Sequence, residues 1–74
     1  MLTRLRWWLH TLRPAHDSYM AEAESDVEWA NYLERQYGRL DAKRDLWLHR
    51  AHMAVAACGC PPRLWRNQVR EALA

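Results

Sequence analysis

The chain has 74 residues, a net charge of +2, five tryptophans and no phenylalanine. Its length leaves room for one domain over residues 1–74, and two glycines exclude a glycine-rich phosphate-binding loop. With no isoleucine, three valines and two threonines, the composition disfavours sheets and predicts an all-α fold. We expect a small bundle of three to four helices, completed by homodimerisation because so short a chain buries little surface alone.

The first predicted helix covers residues 2–13 and ends at Pro14. Its apolar residues recur at steps of three and four: Leu2, Leu5, Trp8, Leu9 and Leu12. A basic amphipathic helix with tryptophan can lie on an anionic membrane, but we expect this stripe to pack on the rest of the domain. No apolar run approaches the roughly 18 residues of a membrane span, so no span is predicted.

The second predicted helix covers residues 18–37, with a break near residue 25. Ser25 and Glu28 have the spacing of a capping box, which marks a second helix start. A continuous helix from residue 17 is the alternative. The inner stripe is then formed by Val27, Ala30, Leu33 and Tyr37, and Gly38 follows the last turn.

The third predicted helix covers residues 41–58, with Asp41 as its N-cap and Gly59 after its end. Its apolar face includes Trp47, which we expect inside the core. Apolar spacing also continues through Gly38, so one long helix over 26–58 is an alternative. We prefer the break, because a chain of this length needs a hairpin to bury its apolar stripes.

The fourth predicted helix covers residues 62–73, with Pro62 at its first position. Trp65 and Val69 lie on its apolar face. Arg63, Arg66 and Arg70 line another face, which could meet phosphate, carboxylates or water.

Charge is segregated along the chain: residues 1–16 carry +3, residues 17–34 carry −6 and residues 35–50 carry +3. Segregated charge suits the steering of a partner, and tryptophan and tyrosine anchor protein interfaces. The predicted function is therefore a helical interaction module, a regulator or inhibitor that masks a surface of a larger bacterial protein such as a transcription factor. The predicted partner-binding acidic face consists of Glu22, Asp26, Glu28, Trp29 and Tyr32. A second copy of the chain is the other expected partner, and a structural or assembly subunit is a further alternative.

Within the segment 54–70, Gly59 lies between two small apolar residues, and the apolar Trp65 follows six positions later. This segment resembles the helix–turn–helix family of DNA-binding proteins. The resemblance implies a DNA-binding regulator whose second helix enters the major groove. Its implied nucleic-acid-binding residues are Arg63, Arg66, Asn67 and Arg70.

A second resemblance is to very short, uncharacterised bacterial and phage helical proteins. It rests on Tyr19-Met20-Ala21, on Ser25-Asp26-Val27-Glu28 and on Leu33-Glu34-Arg35. Such proteins have a capped, charged helix at their centre, and the resemblance implies no activity.

The sequence predicts neither an enzyme nor a cofactor. His49, His52, Cys58 and Cys60 have zinc-ligand chemistry, but about 180° of helix separates His49 from Cys58, so no metal is predicted. Cys58 or Cys60 could act as a nucleophile, yet no base and orienting group accompany them in the sequence. Two cysteines this close do not bridge easily, so we expect reduced thiols and a cytoplasmic location.

Overall fold

Between residues 2 and 73 the protein folds as four α-helices, which confirms the predicted all-α class. This computed structural model describes residues 2–73, and the side chains of residues 4–73. The helices are α1 (Leu2–Thr11), α2 (Pro14–Tyr37), α3 (Ala42–Cys58) and α4 (Asn67–Leu73), with one 3-10 turn at Pro62–Leu64. No strand occurs within residues 2–73. Completion of the bundle by a second copy stays a prediction.

Helix α2 begins four residues before the predicted position and has no break near residue 25. Pro14 lies in the first turn, where its fixed φ favours a helix and its missing N–H removes no hydrogen bond. Arg13 is extended before it, with ψ of 133°, as a residue before proline prefers. No glycine or proline follows until Gly38, so helix propagation overrides the capping signal at Ser25. The alternative of one continuous helix was the better interpretation.

Helices α2 and α3 form an antiparallel hairpin, as predicted, and not one long helix. Gly38 has φ of 95° and ψ of 174°, a conformation that other residues rarely adopt. Asp41 caps α3, because its Oδ1 accepts hydrogen bonds from the backbone N–H groups of Lys43 at 2.7 Å and Arg44 at 3.3 Å. At the far end, Gly59 adopts the left-handed conformation with φ of 74°.

The core lies between α2, α3 and α4. Met20, Val27 and Val69 are its largest fully buried side chains. Small residues of α2 and α3 complete it and allow the two helices to pack closely: Ala23, Ala51, Ala54 and Val55. Trp47, predicted inside the core, is only half-buried and stacks on Trp29 of α2. Tyr37, predicted on the inner stripe, is exposed.

The predicted helix over residues 62–73 is wrong in its first half. Pro62–Leu64 form a single 3-10 turn, Trp65 is extended with ψ of 149°, and α4 begins only at Asn67. The Trp65 indole packs against the core, and its Nε1–H donates to the carbonyl oxygen of Cys60 at 3.3 Å. Packing of this large ring therefore prevails over local helix propensity.

Helix α1 also differs from expectation, because its apolar stripe does not pack on the domain. Leu5, Trp8, Leu9 and Leu12 are each between 49% and 61% exposed. The side chain of Leu2 lies outside the described residues. The helix instead turns Trp7 and His10 toward the turn after α3, close to Cys58 and Gly59.

Candidate functional site

The exposed stripe of α1 is the first candidate site. Leu5, Trp8 and Leu9 occupy positions i, i+3 and i+4, so they follow one face of α1, and Leu12 lies in the turn directly after the helix. Arg4, Arg6 and Arg13 are exposed beside them. Exposed apolar side chains of this size, bordered by charge, make this surface a candidate for binding.

The predicted acidic face forms a second exposed surface, with one exception. Glu22, Glu28, Trp29 and Tyr32 are exposed, and we call these four residues the acidic–aromatic face. Trp29 contacts Tyr32 edge to face at 5.9 Å between ring centroids and stacks on Trp47 of α3 at 5.8 Å. These contacts hold the large rings in place at the surface.

Asp26 is the exception, because it is buried and only 5% exposed. Its Oδ2 has no hydrogen-bond partner among the described residues. Burial raises the pKa of this carboxyl group; the positive charge of Arg50 opposes the shift, and Glu22 adds to it. Asp26 therefore belongs to the edge of the core and not to a surface that a partner could contact.

The four residues implied by the helix–turn–helix resemblance do not share one helix. Arg63 lies in the 3-10 turn, Arg66 precedes α4, and only Asn67 and Arg70 are in α4. Arg66 forms an ion pair with Glu24 of α2 at 2.9 Å, and Arg70 donates to Asn67. Eight residues separate α3 from α4, whereas the helix–turn–helix motif joins its helices by a turn of about three or four residues.

A third candidate site combines two histidines and two cysteines from distant parts of the chain. His10 is in the last turn of α1, and His16 is in the first turn of α2, on the other side of the bend at Pro14. Cys58 ends α3, and Cys60 follows the left-handed Gly59. We call these four residues the His–Cys cluster.

The ligand atoms of the His–Cys cluster converge on one point. His10 Nε2 and His16 Nδ1 each lie 3.3 Å from Cys58 Sγ. One ligand atom from each of the four residues lies within 4.8 Å of every other. His16 and Cys60 are buried, and His10 and Cys58 are half-buried. This set contains donors typical of a tetrahedral zinc site.

The surroundings of the cluster favour neutral groups. Burial lowers the pKa of His16, with a further contribution from His10, so its ring nitrogen keeps a lone pair. Burial and the neighbouring Cys58 thiol raise the pKa of Cys60 to about 11. The cluster therefore disfavours an isolated charge on one of these groups. A bound cation would reverse this preference by stabilising the thiolate forms of the cysteines.

The histidines considered as zinc ligands in the sequence, His49 and His52, are not the ones that approach the two cysteines. His49 and His52 are exposed on α3, and neither belongs to the cluster. His10 and His16 entered no site prediction, since no local spacing connects them with Cys58. The available signal was weak: two histidines flank a proline, and a Cys-x-Cys pair follows a helix.

Comparison of the chain with protein-family models, curated proteins and solved structures finds no match. Across residues 2–73, none of the helices has the length and apolar character required to cross a membrane.

Proposed function

We propose that the protein is a helical interaction module, a regulator that binds a larger protein by placing α1 in an apolar groove. The observation that carries this proposal is the exposed stripe of Leu5, Trp8, Leu9 and Leu12. Burial of these side chains in a partner would recover hydrophobic free energy that the isolated chain leaves unused.

The spacing of the stripe supports a helix-in-groove mode of binding. Amphipathic helices that dock into grooves use anchors at i, i+3, i+4 and i+7. Leu5, Trp8 and Leu9 supply the first three spacings within α1, and Leu12, one residue past its end, has the fourth along the sequence. Trp8 is the largest of them, and tryptophan is enriched among residues that dominate binding energy. Truncation of such an anchor typically weakens binding by about 2 kcal/mol or more.

The basic residues beside the stripe indicate the charge of the partner surface that would bind it. Arg4, Arg6 and Arg13 flank the stripe, and residues 1–16 contain no acidic side chain. A groove with acidic residues on its rim would attract this helix and fix its orientation, whereas a basic rim would repel it. The partner is thus a protein with an apolar groove and an acidic rim.

A pair of variants with the same charge change tests this proposal. Trp8→Glu places a carboxylate in the stripe, and Leu40→Glu places one at a residue that is 98% exposed in the α2–α3 connection. Each bait is cross-linked in cell lysate and the captured proteins are quantified by mass spectrometry. We expect one protein to be captured equally by the wild type and Leu40→Glu and to be lost with Trp8→Glu.

The candidate partner is then purified and titrated with the same three baits. A dissociation constant that Trp8→Glu raises about 30-fold or more, with no change for Leu40→Glu, supports the proposal. Equal binding by both variants contradicts it. Binding of the wild type to anionic vesicles, or to DNA with a steep salt dependence that Arg63→Ala reduces, would replace it by a membrane or nucleic-acid function.

A further inference from the structure

We propose that His10, His16, Cys58 and Cys60 bind one zinc ion and form a structural metal centre. This inference is independent of the partner proposed for α1. The expectation of a metal-free protein was based on His49 and His52, and it stays untested. The structure brings together a different pair of histidines with the same two cysteines.

The distances suit a tetrahedral ion. Zinc binds cysteine sulfur at about 2.3 Å and histidine nitrogen at about 2.0–2.1 Å, so its ligand atoms lie roughly 3.3–3.8 Å apart. Both distances from Cys58 Sγ to a histidine nitrogen are 3.3 Å, at the short end of this range. The widest separation in the cluster, at most 4.8 Å, closes with a shift of about 1 Å, which side-chain rotation can supply.

The donor set selects the metal and its role. Two thiolates and two imidazoles in a tetrahedral arrangement favour zinc over calcium, magnesium or manganese, which prefer oxygen ligands. Four protein ligands leave no open position for water or a substrate, so the centre is structural. On binding, the thiols of Cys58 and Cys60 give up their protons to solvent, and the two charges of zinc balance both thiolates.

A bound metal ion would fix the position of α1 in the fold. Helix α1 exposes its apolar stripe and packs only lightly on α2, so few other contacts fix its position. The four ligands come from α1, α2 and the end of α3, and one ion would join all three segments. Chains this small often need a metal or a disulfide to supplement a limited core.

Backbone features around the cysteines prepare the site. Gly59 in the left-handed conformation reverses the chain between Cys58 and Cys60, so both thiols face the histidines. The hydrogen bond from the Trp65 indole to the Cys60 carbonyl oxygen holds the residue after the turn in place. The ligands are thus positioned before the ion binds, which lowers the conformational entropy lost on binding.

The test begins with metal-free, reduced wild-type chain titrated with Zn²⁺ alone against a chromophoric chelator, without oxygen. We expect one tightly held equivalent per chain. Titration with Co²⁺ alone should give the visible absorption of a tetrahedral cobalt–thiolate complex. X-ray absorption of the zinc form should show two sulfur neighbours at about 2.3 Å and two nitrogen neighbours at about 2.0–2.1 Å.

Matched variants identify the ligands. The double variant His10→Asn/His16→Asn should lose the tetrahedral cobalt spectrum and the tightly held zinc equivalent. The control His49→Asn/His52→Asn removes the same number of histidines from the exposed side of α3 and should bind as the wild type does. Cys58→Ser and Cys60→Ser should each abolish the spectrum.

Each remaining outcome overturns the proposal. In the first, the reduced wild type binds no stoichiometric zinc. In the second, the control variant His49→Asn/His52→Asn loses the metal, and in the third, the zinc coordination shell does not contain two sulfur atoms. The titration and X-ray absorption use only the wild type, so a variant that fails to fold does not weaken the test. Cysteine alkylation that proceeds equally fast with and without Zn²⁺ would likewise show that the thiols hold no ion.

Discussion

Met20 and Met53 place the same side chain in opposite environments. Met20 is fully buried in the core, whereas Met53 is 60% exposed on α3. We expect Met20→Ala to lower the free energy of unfolding by about 2–5 kcal/mol, because it removes buried methylene groups and leaves a cavity. Met53→Ala should change it by less than about 0.5 kcal/mol. Urea denaturation of the three proteins measures the difference, and equal effects would show that Met20 is not in the core.

Asp26 makes the stability of the protein depend on pH. Its pKa is raised in the fold by burial, so the folded state binds the proton more tightly than the unfolded chain. The free energy of unfolding should therefore fall as pH rises from the ordinary aspartate pKa through the raised value.

Asp26→Asn should remove this dependence and raise stability at neutral pH by roughly 1 kcal/mol, because a neutral amide is less costly to bury than an ionised carboxylate. Below the ordinary pKa the variant should gain little over the wild type. The exposed Glu28→Gln on the same helix is the control for a lost charge. Thermal melts across pH measure all three proteins, and an Asp26→Asn curve parallel to the wild type would contradict the assignment.

The burial of Asp26 could have been read from the sequence. It precedes Ala30 by four residues and Leu33 by seven, so helical phase places it beside two core positions. Its carboxylate was instead interpreted together with the surrounding acidic residues. The environment of Trp47 was harder to predict, because the width of the core depends on how α3 rotates against α2.

The two glycines that follow helix ends adopt different backbone conformations. Gly59 has φ of 74° and ψ of 15°, which asparagine also tolerates, whereas Gly38 has φ of 95° and ψ of 174°, a region restricted to glycine. Apart from the adjacent residues, no described atom lies within 4 Å of a Cβ placed at either position, so a substitution there tests local backbone strain without a clash against the rest of the fold.

We expect Gly59→Ala to destabilise by about 1–2 kcal/mol and Gly59→Asn by less. Gly38→Ala should cost about 1–3 kcal/mol, as for other residues forced into this region. Denaturant midpoints measured side by side give the ranking. A Gly38→Ala protein as stable as the wild type would mean that the α2–α3 connection relaxes into another conformation.

At the level of elements, local chemistry predicted the helices better than their partners. Asp41, Gly38 and Gly59 act within a few residues of their own backbone, and their roles at helix ends were visible in the sequence. The packing of α1 was not, since apolar periodicity reveals a stripe but not what covers it. The same limit concealed the His–Cys cluster, in which His10 and Cys58 are 48 residues apart.

At the scale of the whole molecule, homodimerisation stays a prediction, and the surface around Trp29 is where we expect it. The acidic–aromatic face of α2 adjoins Arg50 of α3, whose guanidinium lies 4.6 Å from the ring centre of Trp47. If two copies pack these surfaces around a two-fold axis, Glu28 of one chain can lie near Arg50 of the other. Such an interface leaves α1 free for its own partner.

We therefore expect sedimentation equilibrium at micromolar concentration to show a species of twice the 8.9 kDa chain mass. Tyr32→Glu adds an acid to the aromatic surface and should shift the equilibrium toward monomer by about tenfold or more. Leu40→Glu, with the same change in charge, should leave it unchanged. A single species of monomer mass for the wild type would exclude the dimer and leave Trp29 and Tyr32 to a different protein.

Because the connection between α2 and α3 is short, we expect their hairpin to form early in folding. Contacts between these two helices outnumber all others, and only four residues, 38–41, lie between them, so the hairpin forms with little loss of loop entropy. Helix α1 depends on contacts with residues far along the chain and should be consolidated last. In the metal-free chain, amide hydrogens of the hairpin should accordingly exchange at the rate of global unfolding, while those of α1 exchange through cheaper, local openings. The segment that we propose as the partner-binding one is then the segment that the metal-free protein can rearrange without unfolding.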